Sequence, residues 1–387
     1  MNKKIYKTFI LFLIGSFGLI AQSEKKYQKT FSVDKNTQLL FQTQNIDVTF
    51  KTWNKNEVKV DFTVDFQNYS NEEIKKISEA IIISAQMETS MGNRNTLQIR
   101  NASATSIGKL SYHLTAGEIH VENLSWIKDQ LNKYKSVADI HNEIDTSIRG
   151  FHDLDGYIVF EDGKVPLKDI GKSTRKEIKS IQSKYEIFVP AYMAIELAAD
   201  NANVKFDGNF YNVIRGSFQE SDLSADVLNN NGNSIQFMNG NVRIKKIKGG
   251  NFSFRNVRVG LFGTIENATL QTEFSKINIG ELTKNVQLKD FKSKFFFYNL
   301  HNDFESISML CEYSDIKMYI DQDQKYYMEA VGHNAVLKDG ETKIIMQPNK
   351  EGKRFKMFTR GKDNEAYRKN TFKLDLIHGF VTLFYNK

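Results

Sequence analysis

Four histidines, His113, His120, His141 and His152, cluster in the sequence beside Glu122, Asp139, Glu143 and Asp153. Such a donor set can hold a metal ion or move a proton. Its spacing gives the four imidazoles no common helical or strand face, so surface histidines are expected. Asp153, Asp155, Gly156 and Asp162 partly match a calcium loop, but the first ligand position is Phe151, and an acidic hairpin approach is expected instead. Gly171-Lys172-Ser173 ends like a phosphate loop, yet Pro166 stands where the earlier glycine is required. No HExxH, CxxC or GxSxG motif occurs. Cys311 is the only cysteine and falls in a strand register that points inward, so a buried inert thiol is expected rather than a nucleophile. The sequence singles out no catalytic residue, metal or cofactor, and the expectation is a protein that is not an enzyme.

What remains is chemistry by position. Alternating strand-sized blocks open at Asn203, Asp222, Asn241, Asn256, Lys276, Lys294 and Asp315. A unit of about twenty residues that cannot bury its own apolar face must stack on copies of itself. The expected fold is mainly β and β-solenoid-like, with coils of about 19 residues; a β-sandwich is the alternative. The strongest internal match pairs Glu273-Phe274-Ser275-Lys276-Ile277-Asn278-Ile279 with Glu312-Tyr313-Ser314-Asp315-Ile316-Lys317-Met318. In such coils Val204, Phe206, Val242, Ile244, Val257, Val259, Ile277, Ile279, Ile316 and Met318 point inward. Between them Lys205, Ser224, Arg243, Arg258, Asn278, Phe296 and Lys317 form an outward row. Its basic members, Lys205, Arg243, Arg258 and Lys317, are candidates to bind an anionic glycan by charge-assisted bonds; an ordinary solvated face is the other reading.

The first residues, Met1-Asn2-Lys3-Lys4-Ile5-Tyr6-Lys7, are basic, and an apolar run from Phe9 to Ile20 ends in Ala21. This reads as a secretory signal peptide over 1–21, because the run is shorter than the roughly twenty residues of a membrane span. No cysteine near Ala21 would accept a lipid. Loss of Lys3, Lys4 and Lys7 takes the 53 basic residues to 50 against 46 acidic ones, a net charge of +4. That mild charge in an exported chain points away from nucleic acid. One cysteine permits no intramolecular disulfide, so stability must come from burial and backbone ladders.

Strands with one buried face are expected at Leu39–Thr43, Ile46–Phe50 and Val58–Phe66, where apolar and polar residues alternate. Ser70 and Glu73 form a capping-box pattern ahead of Ile74, Ile77 and Ile81 at helical spacing. The expected organisation is an N-terminal β section over 22–100, an α/β insertion over 101–184, the repeat section over 185–321 and a C-terminal β section over 322–387. Within the insertion, a helix follows Ser125, carrying Ile127, Leu131 and Tyr134, and Asp162-Gly163 turns a hairpin. Strands recur at Thr342–Gln347, Arg354–Thr359, Phe372–Ile377 and Phe380–Phe384.

The chain resembles the bacterial putative-adhesin domain family of unknown function, in its exported Bacteroidota form. The resemblance rests on Val33-Asp34-Lys35-Asn36-Thr37 leading into Asn45-Ile46-Asp47-Val48, and on Thr52-Trp53-Asn54-Lys55-Asn56-Glu57-Val58-Lys59-Val60 with the helix at 71–80. It continues through Tyr185-Glu186-Ile187-Phe188-Val189-Pro190, the Ser275 and Ser314 coils, and His378-Gly379-Phe380-Val381-Thr382-Leu383. The family often places glycine before the polar residue that opens each coil; Gly240 keeps it, while Gln44 and Ala202 depart from it. The resemblance implies a β-solenoid-like exported protein without assigned catalytic residues. The functional expectation is an adhesin-like or scaffolding protein of the cell envelope, located in the periplasm, at the outer membrane or outside the cell. Its partner is an anionic glycan or another envelope protein. A periplasmic sensor or regulatory partner, contacting a membrane protein through 101–184, is the second reading, and a polysaccharide-acting enzyme the third.

Overall fold

The computed structural model describes residues 23–90, 94–101, 108–121, 134, 136–146, 156–359 and 370–386. The signal peptide expected over 1–21 and most of the helix expected after Ser125 lie outside the described residues. The chain is mainly β, with a 22-stranded mixed sheet and a separate 3-stranded sheet.

Two parallel ladders climb side by side through the large sheet. In the first, Ile195 pairs with Leu39 and Ile214, Arg215 with Ser234, and Gln287 with Thr269 and Ser308. In the second, Val204 pairs with Val48 and Leu223, Leu223 with Val242, and Phe295 with Ile277 and Ile316. Each tier is one strand of either ladder joined by a corner, and neighbouring repeat tiers are separated by 18 or 19 residues at positions bonded to one another. Alternate side chains of both ladders meet in one core that includes Phe41, Phe50, Phe206, Phe237, Phe254 and Phe297. This is the period-two pattern of strands with one buried face.

The sequence blocks at Asn203, Asp222 and Asn241 stand in register, as do those at Lys276, Lys294 and Asp315. The Asn256 block is displaced. Gly260 faces Ile277 and Leu261 faces Asn278, so the strand proper enters a few residues after left-handed Asn256. A shift of register by one residue turns every side chain to the other face. Val259 accordingly leaves the main core and packs beside Leu261 in an outer cluster, whereas the other nine expected inward residues are buried. Register also aligns Asp47, not Asn45, with Asn203, so the residue comparable with Gly240 and Ala202 is Ile46 rather than Gln44.

Antiparallel strands close both ends of the stack. At one end Ile178–Pro190 lies between Asp47–Trp53, to which it is parallel, and Glu57–Gln67, to which it is antiparallel. Ser23–Ser32 and Ile83–Ser90 then add antiparallel edges. Helix α1 (Asn71–Glu79) has the full capping box between Ser70 and Glu73, and packs Ile74 and Ile77, with Ile81 beyond its end, on the main core. At the other end the last strands, Thr371–Ile377 and Phe380–Asn386, insert in parallel between earlier tiers. Phe355–Thr359 and Thr342–Met346 cover that end in antiparallel fashion.

The Asp162-Gly163 hairpin forms as expected, pairing Gly156–Phe160 with Gly163–Pro166. Helix α2 (Val137–Thr146) was not legible in the sequence. It lies on the outer face of the second ladder, where a Cβ on Gly263 would come within 2.6 Å of His141 Nε2 and one on Gly280 within 3.1 Å of Val137 Cγ1. Those two glycines leave room for the helix.

Stacking sets a sharp difference between two glycines of positive φ, Gly240 beside the corner and Gly208 at a register shift within Asn203–Phe210. A Cβ on Gly240 (φ 135°) would sit 1.8 Å from the Ser221 carbonyl oxygen, while one on Gly208 (φ 93°) meets nothing within 4 Å. Gly240→Ala is expected to lose about 3 kcal/mol through clash and backbone strain, and Gly208→Ala about 1 kcal/mol through strain alone. Urea unfolding midpoints of the two variants check this order.

Candidate binding ridge

The outward row divides into two parts. Lys205, Ser224 and Arg243 stand in register across three strands, and Asn278, Phe296 and Lys317 across three others. Arg258 lies outside the row, because its expected place beside Asn278 is held by Leu261. Leu261, Phe296 and Tyr298 are buried together with Tyr134, Ile140 and Ile144, so α2 covers the middle of this face. The cations on this face are half-buried and have nearby carboxylates: Lys205 Nζ lies 3.0 Å from Asp207, Lys245 Nζ 2.9 Å from Asp226, and Arg243, only 13% exposed, 3.8 Å from Asp222. Lys317 Nζ sits 5.9 Å from the Phe296 ring centre. A face with alternating charges concentrates anionic ligands far less than a basic stripe.

The other candidates do not assemble. His113 and His120 are exposed on different strands, His141 lies on α2, and His152, Asp153 and Asp155 fall outside the described residues. Among the described residues no group of three or more His, Cys, Asp or Glu side chains could hold a metal ion. Asp162 accepts a hydrogen bond from Arg175. Cys311 is buried, and burial, with Asp290 nearby, pushes its thiol pKa well up. The thiol therefore stays protonated at neutral pH.

The corner between the two ladders has a different character. Each tier turns there through one left-handed residue: Asn45, Asn201, Glu220, Asn239, Asn256, Phe274, Lys292, Tyr313, His378 and Asn334, with φ between 47° and 61°. These residues are stacked by backbone bonds. Asn45 N–H donates to the Asp200 carbonyl at 3.0 Å, Phe274 to Phe291 at 3.0 Å, Lys292 to Glu312 at 2.8 Å, Tyr313 to Ile377 at 2.8 Å and His378 to His333 at 2.9 Å. A left-handed L-residue costs about 1–2 kcal/mol, least for Asn. Four corner positions near one end are Asn, and Asn201 Nδ2 also donates to Asn45 Oδ1 at 2.6 Å.

Immediately inside the corner runs a buried polar column. Ser293 Oγ accepts from Ser275 N–H, and Ser275 Oγ from Val257 N–H, each at 3.0 Å. Asp290 gathers the Thr272 and Ser314 hydroxyls at 2.5 Å and the Ser293 N–H at 3.0 Å. These bonds satisfy corner amides that the change of strand direction takes out of the ladders.

Outside that column the rings line up. Phe274 and Phe291 lie 5.4 Å apart at 85°, Phe291 and Tyr313 6.0 Å apart at 80°, and Tyr313 and His378 stack at 5.0 Å and 14°. His333 continues the line 5.7 Å from His378. Phe274, Phe291 and Tyr313 are 44%, 37% and 50% exposed. Lys292 Nζ lies 5.8 Å from the Phe274 ring centre, and Glu273, on the same edge, is 3.4 Å from Arg255. The ridge is thus one ring wide, exposed, and edged with charge. It went unread in the sequence although Phe274 and Tyr313 occupy equivalent positions in the strongest repeat. The signal was an aromatic residue between a charged residue and a serine, at a point where alternation breaks.

No family model matches the chain, and no curated protein matches it. Among solved structures it is similar to a "putative cell adhesion protein" of Clostridium sporogenes ATCC 15579, at 10% identity and a TM-score of 0.19, over 94% of this chain and 100% of that one. That score carries no argument about fold or role.

If the rings occupy the corner against local backbone preference, removing one must cost little stability. Phe274→Asn relieves left-handed strain of about 1 kcal/mol and loses an edge-to-face contact of similar size, so stability is expected to stay within about 1 kcal/mol of wild type. The reverse change, Asn201→Phe, is expected to lose about 2 kcal/mol, since it adds strain and deletes the bond to Asn45. Denaturant unfolding of both variants measures the contrast.

Proposed function

We propose that this protein is a non-enzymatic, exported, β-solenoid-like protein of the cell envelope, adhesin-like in that it holds a rigid ridge out to a binding partner. The observation that carries the reading is the line of exposed rings along the corner, two of which, Phe274 and Tyr313, are themselves left-handed. Large residues are uncommon in that conformation, and strain of this kind is concentrated at functional sites. The stacked ladders support it by fixing each corner to its neighbours through backbone bonds. Export rests on the basic start and short apolar run of the first 21 residues. Among the described residues no helix is long and apolar enough to cross a membrane.

Anionic glycan binding along the Lys205 and Arg243 row is less favoured, because those cations face carboxylates and α2 interrupts the row. A regulatory contact made by α2 is also less favoured, since Ile140 and Ile144 are already spent against the body of the protein.

Location tests the reading. On intact native cells, added protease is expected to digest the protein, under conditions in which the purified protein is cleaved. Protection until the outer membrane is opened would remove the adhesin-like role and leave a periplasmic partner as the reading to pursue by crosslinking.

A further inference from the structure

The geometry points to a ligand class for the ridge: an extended, neutral polysaccharide whose pyranose rings lie along Phe274, Phe291 and Tyr313. This deepens the adhesin-like reading and rests on it.

Three observations select a sugar chain. The first is width. The three rings, at 37% to 50% exposure, offer together roughly 250–300 Å² of accessible surface. A stable protein–protein interface needs about 800 Å² per partner, so a line one ring wide suits a narrow, extended occupant better than a globular one.

The second is surface chemistry. Glu273, Lys292 and Glu312 occupy the same corner positions or those next to them, between the rings. A lipid surface or purely apolar segment would desolvate these charges while offering them no polar group of its own. A pyranose carries both requirements on one unit. Its C–H face has the positive edge character that an aromatic π-face attracts, and its hydroxyl rim can donate to the carboxylates and accept from the lysine.

The third is charge balance. Glu273 is matched by Arg255 at 3.4 Å, and Lys292 stands one tier from Glu312, whose carbonyl accepts its N–H at 2.8 Å. The ridge has no excess of one sign to select a polyanion, so recognition rests on stacking. Backbone bonds fix the tiers, and the ring centres stand 5.4 and 6.0 Å apart with Phe291 turned at 85° and 80° to its neighbours, spacings of the same order as the advance of one sugar unit in an extended chain. The rings need little ordering when they bind.

The test uses the purified protein without its first 21 residues, run by affinity gel electrophoresis through soluble β-glucan, mannan, xylan and galactan, with dextran sulfate as the anionic comparison. At least one neutral polymer is expected to retard the protein, with retardation nearly constant from about 0.05 to 0.5 M NaCl. Phe274→Asn combined with Tyr313→Asn, both compatible with the left-handed corner, is expected to weaken that binding by about tenfold or more. Unfolding midpoints near wild type would show that the loss is not one of folding. Lys205→Gln with Lys317→Gln is expected to leave neutral-polymer binding unchanged. The proposal is overturned if no neutral polymer retards the protein, if the double ring variant binds as wild type does, or if only dextran sulfate binds, in a salt-sensitive way. A protein that is surface-exposed on cells yet fails these assays would lose the ligand class and keep the adhesin-like reading.

Discussion

The structure depends on one repeated bond: the N–H of a left-handed corner residue donating to a carbonyl of the adjacent tier. Parallel ladders on two faces can share a core only if every tier turns at the same place. A corner out of step by one residue would reverse its side chains. The bond holds Asn45 to Asp200 and His378 to His333 alike, although those tiers come from distant parts of the chain. The buried serines and Asp290 serve the same turn from inside, satisfying amides that water cannot reach. Gly240 serves it by being small, since the Ser221 carbonyl occupies the space of its missing Cβ.

Once the backbone is fixed in this way, the corner side chain is free of the core, and its identity is decided by strain and by whatever it meets outside. Toward one end the corners are mostly Asn, the residue that pays least for the left-handed conformation. From Phe274 to Tyr313 they are Phe, Lys and Tyr, residues that gain nothing locally from being there, before His378 and Asn334 end the series. The same fixed corner therefore has a structural half and a half whose composition calls for an external reason. The fixed tier spacing brings the rings of that second half into contact one after another, and that line gives this body a candidate function.

Much of the architecture was legible in the sequence because burial on one face leaves a period of two. The blocks from Asn203 to Asn241 and from Lys276 to Asp315 stand in the register their alternation implies. The capping box at Ser70 and Glu73 formed because its chemistry is local. The Asn256 block misled for the opposite reason: the displaced register there appears in sequence only as a shortened spacing, which does not say which residue shifts. Insertion of Phe380–Asn386 between Asp315–Asp321 and Ala335–Asp339 was invisible, since alternation marks strands and not their neighbours. The basic row was drawn from that same alternation, so it lost Arg258 to the displaced register and its middle to α2. The ridge was missed because corner residues obey neither period, although the paired Phe274 and Tyr313 were in view.

Amide hydrogen exchange resolved at the corner tests the central claim that these residues are locked into the ladders. The N–H groups of Asn201, Phe274, Lys292, Tyr313 and His378 are expected to exchange as slowly as those of the flanking strands, and in one cooperative unit with them. Exchange at the rate of solvent-exposed turns, while the strands stay protected, would contradict the account. The corners would then be loose connections, and the line of rings would have no fixed spacing.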